Sequence, residues 1–133
     1  MSRFLSALTL VPQDDGIHWA VEWTPFGFED SFGRQIWVPV DTLTDLASIP
    51  RLLWAIYPPF GRYTRGAVLH DWLYTRGDIQ GVPITKRQAD AVFYEAMRCG
   101  GVRITLAWAI WAMVAAFAGP TWLQYRAQDA LCR

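Results

Sequence analysis

Charge is scarce in this chain: 18% of its 133 residues are charged, and twelve cations balance twelve acids. The whole-chain field that draws nucleic acid is therefore missing, and no nucleic-acid partner is expected. Cysteine is scarcer still. Cys99 and Cys132 lack metal-ligand spacing, which argues against a disulfide framework and against a zinc site. The apolar run at the N-terminus meets Pro12, Asp14 and Asp15 before it reaches signal-peptide length, so it reads as a first strand. No internal repeat or low-complexity segment is present. The uncharged, apolar segment 104–123 is interrupted at Gly119-Pro120, which leaves about fifteen continuous apolar residues where a membrane span needs about twenty. It reads as a core helix, with contact to a membrane surface or a partner protein as the alternative.

What is abundant is apolar surface: 53% of residues are hydrophobic and 15% aromatic. A single domain of this size buries a core without staples. Residues 1–44 have β-type spacing, as in Trp19, Val21 and Trp23 and then Ile36, Val38 and Val40, with turn chemistry at Asp14-Asp15-Gly16, Thr24-Pro25-Phe26-Gly27 and Asp30-Ser31-Phe32-Gly33. His18 alternates with apolar neighbours and is expected to face solvent from a strand. Residues 45–133 read as helices. Ser48-Ile49-Pro50 opens a short one, Thr64 to Gly77 frames a second, Thr85 and Gln88 form a capping box for a third, and 104–118 make a fourth. The class is α+β: a small N-terminal antiparallel sheet followed by about four helices in one domain, 1–133.

The chemistry-bearing residues cluster in the second helix. Its stretch VLHDWLY is apolar except for His70, Asp71 and the phenol of Tyr74, so at least one polar side chain must face protein. A buried carboxylate must be paired, protonated or bound to a cation. Tyr74 lies one turn after His70, and Asp90 shares the inward face of the next helix with Phe93 and Met97. This set makes His70 a candidate general base, with Asp90 and Tyr74 in support. Asp71, about 100 degrees round the helix from His70, and Asp45 are candidate metal ligands. Asp45 equally suits a turn where strand becomes helix. Arg51, Arg62 and Arg65 form a basic flank able to receive an anionic substrate group. The alternative to a catalytic site is an interior polar network that ties helices together.

The segments VPVDTLTDLASIPRLLW, PPFGRYTRGAVLHDWLY and ITKRQADAVFYEAM resemble the family called domain of unknown function 1353. That resemblance implies an origin in tailed bacteriophages or prophages and no particular activity. The order His-Asp-x-x-Tyr followed by Ala-Asp-x-x-Phe also resembles calcium-dependent secreted phospholipases of the A-two class. By that likeness His70 is the base, Asp71 binds Ca2+, and Tyr74 and Asp90 support His70. The glycine-rich calcium loop of those enzymes has no counterpart in residues 45–63, where Gly61 stands alone.

Three functions follow as expectations. The first is a structural or assembly component of a virion, of its tail in particular, with other phage structural proteins as partners. The second is a metal-assisted hydrolase of envelope material with Ca2+ as the candidate cofactor, or no cofactor. The third is a small phage accessory protein touching lipid through 104–123. Virion, host cytoplasm and membrane surface are the corresponding locations.

Overall fold

The computed structural model describes residues 2–15, 18–44 and 63–131. Six short strands occupy the N-terminal third: β1 (Arg3–Phe4), β2 (Leu10–Pro12), β3 (Trp19–Val21), β4 (Phe26–Glu29), β5 (Gln35–Val38) and β6 (Leu43–Thr44). They form two antiparallel sheets of three strands, ordered β1-β4-β5 and β2-β3-β6, where a single small sheet was expected. Alternation explains the faces: Phe26 and Phe28 of β4 and Ile36 and Val38 of β5 are buried, while Trp37 is turned toward solvent.

The expected turn at Thr24-Pro25-Phe26-Gly27 is displaced. Phe26 begins a strand because both it and Phe28 reach the core, and the reversal falls earlier, at Trp23, whose φ is 76°. Gly27 is required by packing, because a Cβ there would lie 2.5 Å from the ring of Trp37. The turn at Asp30 forms as the composition suggests. Its buried carboxylate accepts from the amides of Phe32 and Arg34 at 3.0 and 2.8 Å.

Four helices follow among the described residues: α1 (Thr64–Arg76), α2 (Lys86–Cys99), α3 (Ile104–Phe117) and α4 (Gly119–Leu131). The short helix expected after Ser48 lies outside the described residues. Thr64 is the first helical residue of α1 rather than its cap, which is Tyr63. Thr85 and Gln88 make the reciprocal capping box at the start of α2. Between α1 and α2 a tight hairpin, β7 (Asp78–Ile79) and β8 (Val82–Pro83), turns through Gln80 and Gly81, both at positive φ.

Helices α1 and α2 form the centre of the core. Leu69 and Leu73 of α1 and Phe93 and Met97 of α2 are fully buried, and Gly66 lets the two backbones approach closely. Helix α3 buries only Ala107, Ile110 and Val114, one stripe of an uncharged helix. After it the chain bends by 56° into α4, so no single helix among the described residues is long and apolar enough to cross a membrane. The Gly119-Pro120 break thus opens a further helix, since proline is tolerated in a first turn. Helix α4 is tied to α1 by Arg126, which donates to the carbonyls of Tyr74 and Thr75 at 2.7 and 3.1 Å.

Gly77 ends α1 in the left-handed conformation, and a Cβ there would fall 1.7 Å from Nη1 of Arg126. Gly81 also has a positive φ, 83°, and a Cβ there would meet nothing within 4 Å. Gly81→Ala is expected to cost the backbone penalty alone, about 1–2 kcal/mol. Gly77→Ala should cost clearly more in urea denaturation, because it also displaces the Arg126 clamp. Equal losses would show that the clamp contributes nothing.

Candidate functional site

The helical period sets His70 and Tyr74 on one face of α1, with ring centroids 4.1 Å apart, and that face meets Asp90 of α2. Nε2 of His70 lies 2.7 Å from Asp90 Oδ1, and the Tyr74 hydroxyl donates to the same oxygen at 2.7 Å. Nζ of Lys86 donates to the other oxygen, Oδ2, at 2.7 Å. His70 and Asp90 are each 2% exposed. Burial opposes the charge on Asp90, but hydrogen bonds from His70, Lys86 and Tyr74 and the charge of His70 outweigh it and hold the carboxyl below the usual carboxylate range. Burial, then the hydrogen bond to Asp90 and its negative charge, push the Tyr74 phenol well above its ordinary value. An ionised carboxylate can only accept. Nε2 of His70 is therefore an N–H donor toward Asp90.

His70 is in the lining of an open cleft of about 650 Å³, together with Asp71, Tyr74, Thr44 and His18. Its apolar lining comes from Leu43 of β6 and from Met113, Val114 and Phe117 near the end of α3. Asp71 is half-buried and accepts from the hydroxyl of Thr44. His18 sits just before β3, not within it, with Nδ1 2.6 Å from Asp15 Oδ2; it borders the cleft rather than simply facing solvent.

The structure thus brings together His70, Tyr74 and Asp90, and places Asp71 beside them on the same cleft. Arg65 does not line it: its guanidinium stacks 4.1 Å above the ring of Phe4. Asp45, Arg51 and Arg62 lie outside the described residues. Among the described residues no group of three His, Cys, Asp or Glu side chains is gathered for a metal ion. Asp71 supplies one carboxylate toward the cleft, and by itself it does not make a calcium site. Lys86 was not singled out from the sequence, although its spacing of four residues from Asp90 on one helix is the pattern of an ion pair.

The model of a family described as "Protein of unknown function (DUF1353)" matches residues 19–114, more than half of the chain. The chain belongs to the DUF1353 family. The matched region holds His70, Asp71, Tyr74, Lys86 and Asp90 and ends at Val114, before α4. No curated protein and no solved structure shows a significant match to this DUF1353 protein.

Because the folded-state pKa of Asp90 lies below its unfolded value, its contribution to stability is full above about pH 4, the ordinary unfolded carboxyl value, and is lost as pH falls through the lowered folded one. Asp90→Asn is expected to lower stability at pH 7 by about 3–5 kcal/mol, the usual cost of breaking a buried ion pair. It should also flatten the acid limb of a stability-against-pH curve measured by urea unfolding. An unchanged acid limb would mean that other carboxylates carry the acid sensitivity.

Proposed function

We propose that this DUF1353 protein is a hydrolase of esters that carry an apolar acyl arm, with His70 as general base. The observation that carries the reading is an imidazole anchored through Nε2 to a buried, ionised carboxylate at an open cleft. In the reaction, His70 takes a proton from water as the water oxygen adds to the ester carbonyl. Asp90 stabilises the imidazolium, which then gives its proton to the departing alkoxide as the C–O bond breaks. Met113, Val114 and Phe117 hold the acyl arm. The phage setting implied by the family resemblance supplies a matching substrate, the phospholipid of a host envelope.

Purified protein is expected to release fatty acid from phospholipid vesicles, assayed both with added calcium and with a chelator. His70→Gln, checked for folding by circular dichroism, should lower the rate by about 10²–10⁴-fold, the range for a positioned general base. A folded His70→Gln protein with the rate of the parent overturns the reading.

A second reading, a virion assembly component, is favoured by α3. Its Ile104, Trp108 and Phe117 are 59%, 61% and 78% exposed on a helix without a charge. Apolar faces of this kind commonly mark contact surfaces. This reading expects the protein in purified particles at fixed copy number, and absence from them counts against it.

A further inference from the structure

Lys86 is the only lysine in the chain. Its ammonium has three N–H donors, and three acceptors surround it: Asp90 Oδ2 at 2.7 Å, the Val114 carbonyl at 3.3 Å and the Ala115 carbonyl at 3.2 Å. The two carbonyls belong to the last turn of α3, where the dipole favours a cation; that of Val114 also accepts from the Ala118 amide at 3.0 Å. The next few residues, Phe117 and Ala118, border the cleft and lead into the 56° bend. A single point charge therefore touches both the carboxylate that holds His70 and the helix end that supplies the apolar lining of the cleft.

We propose that Lys86 is a positioning residue that holds the His70–Asp90 pair and the apolar wall of the cleft in register. Occupying Oδ2 fixes the rotation of the Asp90 carboxylate, so that Oδ1 alone meets His70 Nε2 and the Tyr74 hydroxyl. Holding the α3 carbonyls fixes the distance from His70 to Val114 and Phe117, the residues that carry the acyl arm. The role rests on the hydrolase reading for its catalytic meaning, while the coupling itself is a property of the fold. Arginine is not an equivalent, because its planar fork cannot direct three donors to a carboxylate and two carbonyls from one nitrogen.

The test uses the full chain and begins with the wild-type protein. With ¹⁵N-lysine, Lys86 gives the single lysine ammonium signal, and it is expected to be protected from exchange with water. With ¹⁵N-histidine at a pH where His70 is neutral, His70 should show the Nε2–H tautomer alone. In Lys86→Met the tautomers should mix. On phospholipid vesicles kcat should fall by roughly 10²-fold, the usual effect of a displacement of about 1 Å in a site, and KM should rise. Lys86→Arg should recover part of kcat and less of KM. A folded Lys86→Met protein with one tautomer overturns the proposal, as does a wild-type ammonium that exchanges like that of an exposed lysine. The second result needs no variant to fold. If no ester is hydrolysed, the hydrolase reading fails while both spectra still decide the coupling.

Discussion

The buried carboxylate of Asp90 is the constraint on which the rest of this structure turns. A charge 2% exposed between two helices is tolerable only if its oxygens are filled by donors, and three side chains do this from two helices. His70 and Tyr74 must then lie one turn apart on α1, and Lys86 must lie one turn before Asp90 on α2. The close helix contact at Gly66 allows the approach. The polar network thus fixes the rotation of each helix about its axis, where apolar packing alone would tolerate several.

A second consequence lies at the helix ends. Lys86 reaches the carbonyls that end α3, and Arg126 reaches those that end α1. Both cations bond to carbonyls in the last turn of a helix, and both hold the C-terminal helices against the central pair. An apolar stripe of α3 and the rings of Trp122 and Tyr125 add to that attachment, although α4 buries no residue completely. The cleft is lined by polar groups of α1 and by apolar ones of α3, with Thr121 and Tyr125 from α4.

Much of the fold was legible in the chain. The capping box at Thr85, the terminator at Gly77, the turn at Asp30 and the grouping of His70, Tyr74 and Asp90 all depend on spacings within one element or on the cost of burying a charge. The early strand at Phe26, the hairpin after Gly77 and the helix after Gly119 were missed. At Phe26 a local turn signal competed with burial against distant residues, and burial decided; the hairpin and the helix after Gly119 stood behind glycine and proline, which read as breakers but also open turns and first turns. Lys86 escaped notice because a lone lysine near a helix start reads as a solvated residue.

By itself the sequence determined the α+β class, the helix boundaries set by caps and glycines, and the need for a partnered polar group inside VLHDWLY, since periodicity and desolvation are written residue by residue. Only the tertiary structure decided that Lys86 completes the partnership, that Arg65 stacks on Phe4 away from the cleft, and that apolar side chains of α3 line the same cleft as His70. Those outcomes depend on how helices rotate and bend against one another, and that follows from contacts between residues far apart in the chain.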